Sequence, residues 1–208
     1  MSVLGELQPN KVFKYFEEIC SIPHGSRNLQ QISDYLVDFA KAHELKYRQD
    51  EDLNVIIWKD GSKGYEASEP VILQGHMDMV AVKEADCDKD MEKEGLDLEI
   101  NGDYISAKGT SLGGDDGIAV AYTLAVLDDE EMAHPPIEAI FTVNEEIGML
   151  GAATIDVSDL KGRLFMNMDS EDEGVFTVSC AGGASVICKI PYETETVNAS
   201  VIEIKMTG

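Results

Sequence analysis

PVILQGHMD, residues 70–78, is the stretch on which the reading of this chain turns. Pro70 to Gln74 is a short apolar run bounded by polar sequence, the pattern of a buried strand. It gives way at once to His76 and Asp78, polar groups that are costly to bury without partners. Two further runs repeat the pattern: IEAIFTV (137–143) leads into Glu145 and Glu146, and RLFMNM (163–168) leads into Asp169. GIAVAYTLAVL (117–127) is apolar on all sides and reads as a buried helix. It is preceded by Asp115 and Asp116, after the glycine-rich turn GTSLGG (109–114). Strands alternating with helices predict an α/β fold, with helices packed on a mixed, largely parallel sheet. In open sheets of this class ligands bind beyond the carboxyl ends of the strands. Three strand ends here deliver imidazole or carboxylate to that edge.

Outward from this centre, Pro9 suits the start of a helix, and Val12, Phe13, Phe16, Ile19 and Cys20 recur with helical spacing. After the turn-rich SIPHGSRN (21–28), a second amphipathic helix carries Leu29, Ile32, Leu36, Phe39 and Ala40. LNVIIW (53–58) reads as a strand, GSKG (61–64) as a turn and GMLGAAT (148–154) as a short helix. Residues 83–103 are highly charged and read as an exposed, irregular excursion. The composition changes after SCAGGAS (179–185), and ICKIPYE (187–193) and SVIEIKM (200–206) read as two strands with no helix between them. The expected domains are therefore 1–183, which carries the polar clusters, and 184–208, the beginning of a second.

Composition narrows the function. Of 208 residues, 44% are hydrophobic, enough for a sizeable core, and 16 basic residues face 40 acidic ones, a net charge of −24. Such a chain repels phosphate backbones and anionic membranes, which excludes nucleic acid and membrane as expected partners. The four cysteines form no C-x-x-C pair, which speaks against a zinc ribbon or disulfide scaffold and for a reducing compartment. The opening MSVLGELQPNKVF lacks the pattern of a signal peptide, and no apolar run approaches the ~20 residues of a membrane helix. The expected location is the cytoplasm.

Carboxylates converging without counter-charge repel one another, and a bound dication removes the repulsion. Imidazole with carboxylates and no thiolate suits a catalytic site for zinc, with manganese or cobalt as alternatives. Two ions ~3.5–4 Å apart need a bridging group. Asp115 is the candidate, since a helix N-terminus would fix it and each oxygen can serve one ion. Asp78, two residues beyond His76, can hold the second imidazole nitrogen. Of Glu145 and Glu146, one can bind metal while the other takes a proton from water. Each piece has a plainer explanation: a chance H-x-D, a solvated Glu-Glu turn, two helix-capping aspartates and a strand-to-loop cap at Asp169. Their joint occurrence at element ends favours the metal site. His24 and His134 read as loop residues and His43 as a surface helix residue.

GHMDMV (75–80), GTSLGGDDGIAVA (109–121), TVNEEIGMLGA (142–152) and NMDSE (167–171) resemble the metal-binding blocks of the aminoacyl-histidine dipeptidases, within the wider group of two-zinc exopeptidases and aminoacylases. The likeness extends to IPHGS (22–26) and the HPP turn (134–136). It implies a zinc-exopeptidase-like catalytic domain followed by the first strands of an α+β lid or dimerisation domain. It also implies a small peptide substrate of the Xaa-His type and a homodimer. Carried over, it has His76, Asp115 and Asp169 holding one divalent ion and Asp115 and Glu146 the other. Asp78 would orient His76 and Glu145 would be the general base. Asp116 departs from the related blocks, which often have asparagine. The family's further histidine ligand near the C-terminus has no counterpart, since no histidine follows His134, so a partial chain is expected. An N-acyl amino acid deacylase of the same group and a non-catalytic metal-binding domain are the rival readings.

Overall fold

The computed structural model describes residues 2–170, 174–179, 182–183, 186–196, 200 and 202–205. In chain order the elements are α1 (Asn10–Cys20), α2 (Gln30–Ala42), β1 (Lys46–Gln49), β2 (Val55–Lys59), β3 (Val71–His76), β4 (Leu98–Asn101), β5 (Tyr104–Ala107), α3 (Gly114–Leu127), β6 (Ile137–Thr142), α4 (Leu150–Thr154) and β7 (Leu164–Asn167). Contacts divide the chain into two units, Met1–Glu171 and Asp172–Gly208.

The first unit is built on a five-stranded mixed sheet of order β1-β2-β6-β3-β7. β1 and β2 pair antiparallel, as do β2 and β6, whereas β6, β3 and β7 run parallel. The parallel half is where a chain must cross back over the sheet, and α3 makes that crossing between β3 and β6. One face of the sheet presents Val55, Ile57, Leu73, Ala139 and Phe141 to a core shared with Phe16, Ile19, Leu36, Val120 and Leu124 of the helices. Each valine, leucine, isoleucine or phenylalanine among them, fully buried, contributes roughly 1.5–3 kcal/mol before the entropy of ordering is subtracted. On the other face Ile56, Ile72 and Ile140 are also buried. There Glu138 is only 3% exposed, and its carboxylate accepts from the backbone N–H groups of Lys161 and Gly162.

The helices begin where expected, with Pro9 in an extended conformation one residue before α1. A hairpin and an edge strand were not expected. The segment 83–103, read as irregular, runs into the hairpin β4–β5, whose two-residue turn Gly102-Asp103 places Gly102 at φ 64°. That dipeptide is a hairpin signal, hidden here among charged neighbours. β1 is the other: LysTyrArgGln has no apolar run, and it is held by register with β2 and by Lys46 Nζ, 4.2 Å over the Trp58 ring.

In the second unit the expected strands do not form among the described residues. Residues 187–193 carry no regular structure, nor do 200 and 202–205, while 201 and 206 lie outside the described residues. Ile187, Ile190, Ile202 and Ile204 are each at least 77% exposed. An isolated pair of strands is marginal in water because it buries too little apolar surface to offset chain entropy.

Candidate active site

The parallel strands β6, β3 and β7 end side by side, with His76 opposite Thr142 in the β3–β6 register. Beyond these ends lie the polar clusters. His76, the last residue of β3, is 1% exposed. Its Nδ1 lies 2.9 Å from the main-chain oxygen of Asp78. A carbonyl can only accept, so Nδ1 carries a proton, and it is Nε2 that faces the site, with a lone pair to offer once the ring is neutral. Nε2 is 3.0 Å from Asp115 Oδ1 and 3.9 Å from Glu145 Oε2.

Asp78 thus orients His76 through its backbone. Its carboxylate stands 3.6 Å from Nδ1, too far to be the acceptor, and is engaged elsewhere. Oδ1 accepts from the backbone N–H of Glu145 at 3.0 Å, and Oδ2 accepts from Ser26 Oγ at 2.8 Å. Burial pushes the Asp78 pKa up, but the nearby His76 and these two donors outweigh it and hold the carboxylate below its ordinary value.

Asp115 and Asp116 do not cap a helix, the plainer explanation of the pair. Neither has helical backbone: Asp115 sits at φ −86°, ψ 112° and Asp116 at φ −110°, ψ 27°, and the peptide joining them is cis. Both lie in the turn that precedes the regular part of α3, entered through Gly113 at φ 70°. The turn, rather than a helix terminus, positions Asp115. It sends the two side chains to different places. Asp115 is 65% exposed and faces His76; Asp116 is 1% exposed, with Oδ2 accepting from the backbone N–H of His76 at 3.2 Å. Burial pushes the Asp116 pKa up to about 7, with the Asp169 and Asp115 charges adding to the rise. It lies close over Gly75, where a Cβ would come within 2.8 Å of Asp116 Oδ2.

Among the described residues, His76, Asp115 and Glu146 form a group whose ligand atoms all lie within 4.8 Å of one another. Glu145 and Glu146 both have pKa values raised, first by burial and then by neighbouring carboxylates. Burial lowers the His76 pKa, but the surrounding Asp78, Asp116 and Asp115 outweigh it and lift it to about 10. One imidazole surrounded by so much negative charge is the arrangement that a divalent cation balances. Imidazole with carboxylates is also a donor set for zinc or a related ion. Asp169 lines the same concavity as Gly114, Asp115 and Asp116. It acts on Asp116 and Glu145 as a charge, and it stands outside the converging group.

Two residues not singled out from sequence take part. Ser26 holds Asp78, and Asn144 Oδ1 accepts from the backbone N–H of Arg27 at 2.8 Å. Both lie inside stretches already noted for their likeness to the dipeptidases, IPHGS and TVNEEIGMLGA. The remaining histidines stay outside the site. His24 is buried with Nδ1 against Ile22 O, His134 is buried with Nδ1 against Pro135 O, and His43 lies on Phe39.

Across 207 residues, the whole of this chain, the sequence is 38% identical to the cytosol non-specific dipeptidase of Escherichia coli. Likeness to a dipeptidase runs the full length of the chain. The aminoacylhistidine dipeptidase of Vibrio alginolyticus superposes with a TM-score of 0.80 at 40% identity over 82% of this chain. A tripeptidase from Staphylococcus aureus, at 23% identity and a TM-score of 0.66 over 81% of the chain, shares the fold. The chain spans 43% of the length of the E. coli protein and 35% of the Vibrio structure. No protein-family model matches. The mixed α/β sheet expected from sequence is therefore the sheet of these peptidases. Among the described residues no helix is long and apolar enough to cross a membrane.

Proposed function

We propose that the protein is a metal-dependent peptidase that hydrolyses short dipeptides. The observation that carries this reading is the convergence of His76, Asp115 and Glu146 to within 4.8 Å, with Glu145 Oε2 3.9 Å from His76 Nε2. In the proposed arrangement His76, Asp115 and Asp169 hold one divalent ion and Asp115 and Glu146 serve a second, zinc being the first choice and manganese or cobalt the alternatives. Ions bound there supply Lewis-acid polarisation of a peptide carbonyl and acidify water.

The chain's own groups do the rest. Asp78 fixes the His76 tautomer through its carbonyl, so Nε2 is free to ligate. Glu145 removes the proton from the attacking water and returns it to the leaving amine. Its raised pKa suits both halves of that task, since a carboxyl group closer to neutrality holds the proton more readily between transfers. The substrate class follows from the relatives, a non-specific dipeptidase and an aminoacylhistidine dipeptidase. A cytoplasmic location agrees with the cytosol naming of the E. coli protein, and the homodimer is carried from the family resemblance.

The test is a panel of Xaa-His dipeptides, other dipeptides, tripeptides and N-acyl amino acids, run with metal analysis before and after chelation. Dipeptide hydrolysis that disappears with chelator and returns with zinc or manganese is expected. Activity indifferent to chelation would remove the metal reading. Preference for N-acyl amino acids would make the protein a deacylase.

A further inference from the structure

We infer that Ser26 is a positioning residue for Glu145, acting through Asp78; the inference rests on the reading of Glu145 as general base. The turn Gly25–Asn28 stands against the site from a part of the chain more than a hundred residues away from Glu145. It is itself firmly held: Ser26 N–H donates to Met79 O at 3.1 Å and Asn28 N–H to Gly25 O at 2.8 Å. Gly25 bridges to Met79 and has no room for a side chain, since a Cβ there would stand 2.6 Å from Ala81 Cβ.

From this base the turn reaches the Asn144–Glu145 turn by two routes. On the first, Ser26 Oγ donates to Asp78 Oδ2 at 2.8 Å, and Asp78 Oδ1 accepts from Glu145 N–H at 3.0 Å. On the second, Arg27 N–H donates to Asn144 Oδ1 at 2.8 Å. Arg27 at φ 72° and Asn144 at φ 53° are both left-handed, a conformation that asparagine tolerates but that arginine adopts at a cost unless its surroundings hold it there. The Asn144 side chain holds the Arg27 backbone in it.

The Asp78 side chain is fully buried, so a rotation of its carboxylate cannot be repaired by solvent. Ser26 is the only side-chain donor on Asp78 Oδ2 among the described residues. Removing the hydroxyl frees the carboxylate to turn, and the backbone N–H of Glu145 then loses its fixed acceptor. Asp78 also presents the carbonyl that holds His76 Nδ1, but that bond belongs to the main chain and does not depend on Ser26. The expected consequence is a displaced base with His76 and Asp115 left in place.

The experiment uses the complete protein and compares Ser26→Ala with Ser26→Thr, which keeps the hydroxyl, following kcat, KM, bound metal and hydrogen exchange of the peptide spanning 144–148. In Ser26→Ala, kcat should fall about 10-fold, part of the ~10²-fold that a misplaced catalytic group can cost, with KM unchanged, the metal held through His76 and Asp115 retained, and exchange faster. Ser26→Thr should restore both. In a Glu145→Gln background, Ser26→Ala should change kcat by less than about twofold, because residues acting as a unit are not additive. Unaltered exchange and kcat in Ser26→Ala, or full additivity with Glu145→Gln, would overturn the inference. If Ser26→Ala does not fold, Ser26→Cys, with similar shape and a weaker donor, gives the same two readings. A wild-type protein inactive on dipeptides would remove the proposed function, and the exchange measurement alone would then decide whether Ser26 holds the Glu145 turn.

Discussion

The two flanks of the site are built differently. On the β3–β6 side, His76 and Asp78 are each 1% exposed, and Asp78 has a partner on both carboxylate oxygens. On the α3–β7 side, Asp115 and Asp169 are exposed, and the Asp169 carboxylate has no hydrogen-bond partner among the described residues. The first flank resembles a frame, with His76 Nδ1 and both Asp78 carboxylate oxygens consumed by bonds within the protein and only His76 Nε2 turned to the site. The second offers oxygens with little else to bind. Groups that orient must be satisfied by the fold, whereas groups that ligate must be left unsatisfied by it. The contrast appears even within one dipeptide, where Asp115 is presented and Asp116 is buried.

The strongest way to break this contrast is at Glu145 and Glu146, adjacent residues given opposite tasks. Glu145→Gln should keep fold and metal while kcat falls at least ~10²-fold, the lower range for loss of a general base. Glu146→Gln should instead lower metal occupancy in an analysis of the purified protein. Interchanged phenotypes would reverse the assignment within the pair. Next in size is the comparison of Asp115 with Asp116. An amide offers one neutral ligating oxygen, so Asp115→Asn should weaken metal binding by more than the ~10–100-fold typical of outer partners. Asp116→Asn should stay below that range, because its side chain is buried against the His76 backbone N–H, a donor that an amide oxygen can also accept from. Calorimetric titration with zinc measures both, and equal losses would leave no reason to set Asp115 apart.

Gly75 tests the frame itself by stability. In Gly75→Ala the new Cβ would meet Asp116 Oδ2 at 2.8 Å and Ala119 Cβ at 2.9 Å. α3 and β3 would have to move apart, and overpacking of this kind costs roughly 1–3 kcal/mol. Thermal unfolding should show a lower Tm, and an unchanged Tm would mean that the contact between Asp116 and β3 is looser than described.

How much of this was legible beforehand depended on how local each signal is. β3, β6 and β7 announce themselves as apolar runs broken by His76, Glu145 and Asp169, since burial and its interruption are both written in consecutive residues. β1 was not legible, because Lys46 to Gln49 become a strand only by pairing with β2. Asp115 and Asp116 stand before a helix in sequence, yet the turn around Gly113 withholds helical geometry from both. Nothing local distinguishes the exposed member of that pair from the buried one. Ser26 was invisible for the same reason at longer range, its partner lying 52 residues away.

The smallest expected effect concerns charge, and it sharpens the contrast between frame and ligands. In the metal-free protein His76 is raised from 6.5 to about 10 and Asp116 from 3.8 to about 7. A group whose pKa is raised by folding binds its proton more tightly in the native state, so native protein holds more protons than unfolded protein between the two values. Stability then falls as pH rises: for Asp116 between about 4 and about 7, and for His76 between about 6.5 and about 10. Depressed carboxylates such as Asp78 act in the opposite sense, but only below their ordinary range. Above pH 6.5 the His76 contribution should therefore be the visible one, as a decline in the Tm of chelated protein toward pH 9. Bound metal requires neutral imidazole, so its affinity rises as that proton leaves, and the decline should flatten when zinc is present. Thermal unfolding at several pH values, with chelator and with zinc, reads both slopes. A metal-free Tm that rises through this window would mean that His76 is not held protonated by the carboxylates around it.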